Sequence, residues 1–313
     1  MRTIKPRRIK HGDVIGVCAP ASSPASTEKL NKGITYLERC GFRVELGKNV
    51  LKKYGYLAGS DSQRAADLNN FFADPKVKAI FTLRGGYGSH RILPLLDYNL
   101  IRRNPKILVG YSDITALHSA LLAKTNLITF SGPMVAVEMA ERLQDKTEER
   151  FWECLMSTKS PQSIKVNPDQ SSIISRPGKA IGRLIGGNLS MVTALIGTHF
   201  FPSLRDPIFI LEEIDERPYR IDRMLQQMKL VGTLNQTNGI LLGGFGGCDP
   251  EKGKPSLTLS QVFKDTFHNY QFPVISGIPY GHIKDSLSFP IGARVKMDGR
   301  KNFIEFLEAG VSK

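Results

Sequence analysis

Ser112 and Asp113 stand at the junction between a short apolar run and a segment with helical spacing. Residues 107–109 (Ile-Leu-Val) are typical of a buried strand, and a helix-period pattern starts at Ile114. A serine on such a turn presents its hydroxyl at the carboxyl edge of a sheet, beside unpaired helix N–H groups. The Gly-x-Ser-x-Gly spacing of a nucleophile elbow is half met, since Gly110 is present and Ile114 replaces the second glycine. Ser112 is therefore either a nucleophile or an ordinary helix cap.

A serine nucleophile needs a base, and the chain has six histidines. His118 follows on the same predicted helix, about 9 Å of rise from Ser112, which puts it out of reach. His282 lies in a loop with Pro279 and Gly281 after a predicted strand, and catalytic histidines often occupy such loops. His90, after a glycine-rich loop, is a competitor. Among the histidines, His282 is therefore the first candidate for the base, and an ordinary loop histidine is the alternative.

Glu212 and Glu213 end a strongly apolar segment, Pro207 to Glu213, that predicts a strand. Successive side chains of a strand point to opposite faces, so only Glu212 shares the face of Ile208 and Ile210. A carboxylate on that face could orient a histidine and fix its tautomer. The alternative is a charged strand end in solvent.

Glycines cluster at 85–88, at 186–187 and at 243–247, but none of these clusters completes a dinucleotide fingerprint or a phosphate-binding P-loop. The pattern therefore predicts no nucleotide cofactor. A glycine directly after a strand can instead offer a backbone N–H to an oxyanion, because no side chain blocks the approach. A tight loop with positive φ explains the same residues equally well.

Strands and helices alternate through the first half of the chain at the spacing of βαβ units. This pattern predicts a parallel, doubly wound sheet whose ligands gather at the carboxyl ends of the strands. The loops after Ala19, at Gly85–Gly86 and at Ser112 would then share one edge. The predicted strands are 13–19, 42–46, 79–83, 107–109 and 127–130, and the predicted helices include 26–40 and 60–72.

We predict an N-terminal domain over residues 1–157, a linker over 158–177 and a C-terminal domain over 178–313. The linker is rich in Ser, Pro, Lys and Gln and has weak periodicity. The last segment contains predicted strands at 179–185, 207–213, 239–245 and 273–276 and a β-patterned tail. It also holds Glu212 and His282, so a site that joins them to Ser112 would lie between domains.

Bulk composition excludes several classes of protein. The net charge of +14 arises from 43 basic and 29 acidic residues, but the basic residues are scattered, so we expect no nucleic-acid partner. No apolar run approaches the length of a membrane span. Four widely spaced cysteines argue against metal sites and a disulfide framework and fit a reducing, cytoplasmic location.

Six long segments in the correct order resemble the LD-carboxypeptidases of serine peptidase family S66. They are YLAGSDSQRAADLNNFFADP (56–75), LRGGYGSHRILPLLDY (83–98), LVGYSDITALHSAL (108–121), GRLIGGNLSMV (182–192), ILEEIDERPYRIDRML (210–225) and GIPYGHIKDSLSFPIGARV (277–295). The resemblance implies an N-terminal Rossmann-like domain similar to class I glutamine amidotransferases. It also implies a smaller C-terminal α/β domain with a mostly β core, and a homodimer.

The same resemblance implies a triad of Ser112 as nucleophile, His282 as general base and acid, and Glu212 as orienting acid. Backbone N–H groups of Gly86 and Asp113 would form the oxyanion hole, with no metal or cofactor. A basic side chain near the cleft could pair with substrate carboxylates, and Arg84 is the candidate.

The implied reaction is removal of the terminal D-alanine from murein tetrapeptides during peptidoglycan recycling, through an acyl-enzyme. A microcin C immunity-type peptidase, which cleaves peptidyl or aminoacyl nucleotide amides, is the alternative within the family. Such proteins use an extra aromatic residue to stack a nucleobase. Trp152, the one tryptophan, lies outside the six segments, which disfavours that reading. A non-catalytic binding protein on the same scaffold is disfavoured because Ser112, Glu212 and His282 are all present.

Overall fold

The structure, a computed structural model, describes residues 3–167, 173–203 and 206–313. Two mixed sheets organise this part of the chain. The strands are β1 (Val14–Cys18), β2 (Arg43–Leu46), β3 (Val77–Thr82), β4 (Ile107–Val109), β5 (Thr129–Ser131), β6 (Ile164–Lys165), β7 (Lys179–Asn188), β8 (Ile208–Ile214), β9 (Gly239–Gly246), β10 (Val274–Ser276), β11 (Phe289–Ile291), β12 (Arg294–Asp298) and β13 (Phe303–Phe306).

Helices alternate with these strands along most of the chain. They are α1 (Thr27–Arg39), α2 (Asp61–Ala73), α3 (Ser89–Ile92), α4 (Tyr98–Arg103), α5 (Thr115–Thr125), α6 (Asp145–Met156), α7 (Leu189–Leu195), α8 (Pro218–Leu230) and α9 (Leu259–Phe267). Local signals set several boundaries. Ser60 and Gln63 form a reciprocal capping box at the start of α2, as their spacing predicts, and Ser26 caps α1.

The first sheet has the strand order β11-β5-β4-β3-β1-β2 and is parallel except for β11, which runs antiparallel to β5. Its two faces are both buried. Ile15 and Phe81 pack on one face with residues of α1 and α6, whereas Ile80 and Leu108 pack on the other with residues of α2 and α5. A sheet covered on both sides by helices is the doubly wound arrangement that the alternation predicts.

The second sheet has the order β10-β9-β8-β7-β12-β13-β6. Strands β7 to β10 are parallel, and β12, β13 and β6 add an antiparallel edge. Phe209 and Leu211 of β8 pack with α8 and α9 on one face. Ile208 and Ile210 contribute to a second core that includes Phe289 of β11.

The two sheets meet beside the nucleophile turn. Strand β11 follows His282 in the chain but belongs to the first sheet, so the C-terminal half contributes directly to the N-terminal core. At the end of β7, the N–H of Asn188 donates to Thr115 Oγ1, 3.1 Å away, at the start of α5. A Cβ on the preceding Gly187 would lie 2.3 Å from the same oxygen, so the close approach requires glycine there.

The predicted fold class is confirmed: an α/β protein with a doubly wound N-terminal sheet and a second α/β unit. The predicted domain limits stay a prediction. Residues 168–172 of the predicted linker lie outside the described residues, and β6 within it pairs with β13 of the second sheet. In the described part of the chain, no helix combines the length and hydropathy of a membrane span, and no three His, Cys, Asp or Glu side chains are grouped to hold a metal ion.

Candidate active site

Ser112 sits in a single 3₁₀ turn, Ser112–Ile114, between β4 and α5. Its φ of 63° lies in the left-handed region, which a non-glycine residue occupies at a cost of about 1 kcal/mol or more. Ile114, not Ser112, is the residue that caps α5. Strain of this kind at a corner between strand and helix is how an elbow presents a hydroxyl, so the geometry favours a nucleophile over a simple cap.

His282 lies between Ser112 and Glu212 and bonds to both. Its Nε2 is 3.1 Å from Ser112 Oγ, and its Nδ1 is 2.7 Å from Glu212 Oε2. Because an ionised carboxylate only accepts hydrogen bonds, Nδ1 carries the proton and Nε2 is left to accept one from the serine hydroxyl. The sequence places these residues far apart, and the fold joins them in one hydrogen-bonded chain.

Glu212 is 1 % exposed at the end of β8. Its Oε2 also accepts the backbone N–H of His282 at 3.3 Å, whereas its Oε1 is buried with no hydrogen-bond partner among the described residues. Gly281 permits this contact: a Cβ there would lie 2.6 Å from both Glu212 Cβ and Oε2, and its φ is +99°. A buried carboxylate with so few donors depends on the histidine for compensation of its charge.

Glu213 points to the opposite face of β8. Its carboxylate accepts Asn188 Nδ2 at 2.6 Å, Ser190 N at 2.8 Å and Ser190 Oγ at 2.6 Å, so it holds the start of α7. The two glutamates therefore lie on opposite faces of β8, as alternation along a strand predicts. Glu212 faces His282, and the alternative of a solvated strand end does not hold for either residue, since Glu213 is 3 % exposed.

Two opposing effects act on His282. Burial disfavours the imidazolium and lowers the pKa of His282, but the hydrogen bond to Glu212 and the negative charge of that residue raise it. Smaller contributions from Glu213 and Glu138 act in the same direction. The net effect is a pKa of His282 above the ordinary value of about 6.5.

The glycine loop after β3 lies against the nucleophile turn. A Cβ on Gly85 would lie 2.9 Å from Ser112 Cβ and 3.4 Å from the backbone nitrogen of Asp113. The buried Asp113 carboxylate accepts the N–H of Ser89 at 2.8 Å and so ties the far end of the loop to the same turn. Gly86 has a φ of +110°. The glycine loop and the Asp113 backbone therefore lie next to each other at Ser112, and the oxyanion hole formed by Gly86 and Asp113 stays a prediction.

Tyr111 and Glu138 also belong to the site, although neither was predicted from the sequence. The Tyr111 ring meets the His282 ring edge-on, with centroids 5.0 Å apart. Its hydroxyl donates to Glu138 Oε1 at 2.5 Å, and Glu138 Oε2 accepts the N–H of Met134 at 2.9 Å. Adjacency to Ser112 was a signal for Tyr111. Glu138 lies outside any strand or helix, so no periodicity could have placed it.

Arg84 is half-buried, and one of its guanidinium nitrogens lies 3.9 Å from a Cβ position on Gly86. Within the described ranges its side chain forms no hydrogen bond or ion pair, which leaves it free for an anionic ligand. A cavity of about 370 Å³ adjoins His282. Its lining includes Tyr111, Glu138, Arg142 and Lys284. Cationic and anionic side chains therefore both border the candidate site.

The other histidines take no part in this geometry. His118 is fully buried and bonds to Thr129 Oγ1 and to the carbonyl oxygen of Gly110, each at 2.8 Å. Burial lowers the pKa of His118 to about 4, so it is a neutral structural residue that holds the end of β4. His90 follows the glycine loop and makes no contact with Ser112 in the described residues.

Replacement of Gly85 by alanine tests the close approach of the glycine loop. The added methyl group would lie 2.9 Å from Ser112 Cβ and 3.1 Å from its Oγ. A displacement of the nucleophile by about 1 Å is expected to lower kcat by roughly 100-fold. Gly246→Ala is the matched control, since its nearest neighbour, the His282 carbonyl oxygen, is 4.0 Å away. Equal activity of both variants would show that the loop tolerates a side chain at position 85.

Known proteins resemble this chain over both halves of its sequence. Models of the N-terminal and C-terminal domains of LD-carboxypeptidases match residues 15–132 and 181–297. The chain belongs to the LD-carboxypeptidase family, peptidase family S66. It is 40% identical to a probable murein peptide carboxypeptidase of Bacillus subtilis (strain 168), over 99% of this chain and 96% of that protein.

Two solved structures of LD-carboxypeptidase relatives share the whole architecture. The microcin C7 self-immunity protein MccF, in complex with glutamyl sulfamoyl guanosine, superposes with a TM-score of 0.88 at 28% identity, over 98% of this chain and 99% of that chain. A muramoyltetrapeptide carboxypeptidase from Oxalobacter formigenes superposes with a TM-score of 0.84 at 29% identity, over 93% and 97%. The family assignment confirms the prediction of a serine-type carboxypeptidase, a hydrolase of peptide bonds.

Proposed function

We propose that this LD-carboxypeptidase removes the terminal D-alanine from murein tetrapeptides through the triad Ser112, His282 and Glu212. The observation that carries the proposal is the continuous hydrogen-bonded chain from Ser112 Oγ through His282 to the buried Glu212. It has the order and polarity that general-base activation of a serine requires.

In the first step, Ser112 Oγ attacks the carbonyl carbon of the scissile bond while His282 Nε2 accepts the hydroxyl proton. Glu212 keeps the Nδ1 proton in place and stabilises the imidazolium that forms. The carbonyl oxygen becomes an oxyanion, which the N–H groups of Gly86 and Asp113 bind. The tetrahedral intermediate collapses as His282 donates its proton to the leaving nitrogen, and D-alanine departs.

In the second step, water attacks the acyl-enzyme ester. His282 accepts a proton from this water and then returns it to Ser112 Oγ, which releases the shortened peptide. Arg84, which has a free guanidinium near Gly86, would bind a carboxylate of the peptide. Every proton is transferred between the substrate, water and this chain's own residues.

The relatives support murein peptides as substrates. The Bacillus subtilis protein is named a probable murein peptide carboxypeptidase, and the Oxalobacter formigenes structure is that of a muramoyltetrapeptide carboxypeptidase. A reducing cytoplasm fits Cys18, Cys40, Cys154 and Cys248, which are all free. In that compartment the reaction would act on recycled wall fragments. A homodimer is the assembly that the family resemblance implies.

Cleavage of aminoacyl nucleotide amides is the alternative, because MccF has the same fold. In this chain the one tryptophan is unsuited to stack a base. Trp152 lies in α6, where its ring packs at 5.0 Å from Phe42 and 4.7 Å from Phe151, and its Nε1 donates to Tyr36. Because the Trp152 ring packs in the core, it does not line the candidate site and cannot stack a base there. This favours the peptide as substrate.

The substrate is tested by incubating the purified full chain with murein tetrapeptide and, in parallel, with an aminoacyl sulfamoyl adenosine. We expect D-alanine release from the tetrapeptide and little cleavage of the nucleotide. A tetrapeptide ending in L-alanine is the control for stereochemistry. Preferential cleavage of the nucleotide would support the alternative function, carried out by the same triad. Absence of cleavage of both substrates would contradict both functions.

A further inference from the structure

A second cavity, of about 500 Å³, lies at the opposite edge of the first sheet from Ser112. Asp13, Val77 and Lys106 border it, and these residues stand at the amino ends of β1, β3 and β4. Ser112 follows the carboxyl end of β4, so about 13 Å of strand separates the cavity from the nucleophile turn. The cavity is therefore a separate site that the peptidase chemistry does not use.

Cationic side chains dominate the wall of this cavity. They are Arg7, Arg8, Lys10, Lys78, Lys106 and Lys313. In the ranges that the structure describes, none of the six lies within ion-pair distance of a carboxylate. Asp13 is the one acidic residue on the wall, and its Oδ2 already accepts the N–H of Lys10 at 2.8 Å. Six cationic side chains beside a single lining carboxylate repel one another, and this excess of positive charge favours the binding of an anion.

The basic N-terminal arm is held in place rather than left loose. Arg8 N donates to the carbonyl oxygen of Ser312 at 2.9 Å, and Ser312 N donates back to Pro6 at 2.8 Å. Ile9 is fully buried, and its N–H donates to Leu155 at the end of α6. Neighbouring Arg7 and Arg8 side chains therefore project from a fixed backbone. Ordering this arm in advance reduces the entropy cost of binding a ligand.

Lys106 forms a rigid base for the site. It is 8 % exposed, and its Nζ donates to the carbonyl oxygens of Phe71, at 2.6 Å, and Asp74 at the end of α2. Burial lowers the pKa of Lys106 to about 8; the charge of Asp74 opposes this shift and that of Lys78 adds to it. An anion in the cavity would stabilise the charged form that burial disfavours.

We infer that this cavity binds a small molecule that carries two or more linked phosphate groups, recognised through those phosphates. The volume is that of a small-ligand site, and the cations converge on it from the N-terminal arm, the start of β3, the start of β4 and the end of the chain. A nucleic-acid surface would instead follow a groove with a stripe of basic residues and aromatic rings for stacking. No aromatic side chain lines this cavity among the described residues.

The test is calorimetric titration of the full chain with inorganic pyrophosphate, together with the Arg7→Gln/Arg8→Gln double variant. Lys52→Gln/Lys53→Gln is the matched control, since it removes the same charge from an exposed dibasic pair elsewhere. We expect saturable binding of one pyrophosphate. Loss of two charge-assisted contacts should weaken it about tenfold or more in the Arg7/Arg8 variant, with the control close to wild type.

Three results would overturn the inference. The first is the absence of saturable binding of pyrophosphate, and the second is equal weakening in both double variants, which would indicate net charge alone. The third is binding of a short single-stranded oligonucleotide that is tighter than that of pyrophosphate and lost in the Arg7→Gln/Arg8→Gln variant. D-alanine release should be unchanged in both double variants, so the outcome is independent of the proposed triad.

Discussion

Ser112→Ala is expected to reduce D-alanine release from murein tetrapeptide by about 10⁴-fold or more, to the residual rate that binding and the oxyanion hole sustain. The reason is that the alanine has no oxygen to form the acyl-enzyme, although His282 and Glu212 remain hydrogen-bonded to each other. The measurement is a time course of free D-alanine, with circular dichroism to verify the fold.

Ser163→Ala is the control, because Ser163 is an exposed serine outside the site. A second variant, Ser112→Gly, separates loss of the nucleophile from damage to the turn. Glycine adopts the φ of 63° at position 112 without strain, so this variant should be inactive yet no less stable than wild type. Wild-type release by Ser112→Ala would show that another group attacks the carbonyl.

Glu212→Gln is expected to lower kcat/KM by roughly 10³- to 10⁴-fold and to move the acid limb of its pH profile. The amide can no longer hold His282 in the productive tautomer or stabilise its charged form. In the wild type the base works only when His282 is neutral, so activity should fall as the pH drops through the pKa of His282, which is raised above about 6.5.

Removal of the Glu212 charge deletes the two largest effects that raise this pKa and leaves the burial that lowers it. The acid limb of Glu212→Gln should therefore lie at lower pH than that of the wild type. Glu213→Gln is the matched control on the opposite face of β8. It should leave the acid limb nearly in place and lower the free energy of unfolding by about 1–3 kcal/mol, because an amide cannot accept all the bonds that Asn188 and Ser190 donate. If the acid limb of the pH profile were unchanged in Glu212→Gln, Glu212 would not take part in proton transfer through His282.

Local signals accounted for much of the fold. The alternation of strands and helices, the capping box at Ser60 and the apolar strand before Glu212 are short-range features, and the structure shows each of them. The helices α3 and α4 were not assigned from sequence. They are short, and helices of four and six residues contain too few turns to show a period.

Two features of the fold had no local signal. Residues 289–291 fall within the predicted C-terminal domain, but β11 pairs with β5 in the first sheet. Which sheet a short apolar strand joins depends on the packing of its partners, and three residues do not encode that choice. The basic cavity also had no local signal in the sequence. The basic residues look scattered along the sequence, because Arg7, Lys78 and Lys106 are distant from one another in the chain. They meet only at the edge of the folded sheet.

The sequence by itself determined the strand-to-helix turn at Ser112, the opposite faces of Glu212 and Glu213, and the family. These depend on neighbours within one turn or one strand, or on the order of long segments along the chain. Only the tertiary structure decided that His282 Nε2 lies 3.1 Å from Ser112 Oγ, that Tyr111 and Glu138 border that histidine, and that Lys106 faces the N-terminal arm. Such contacts join distant parts of the chain, and their geometry is set by strand order and by the packing of one sheet against the other.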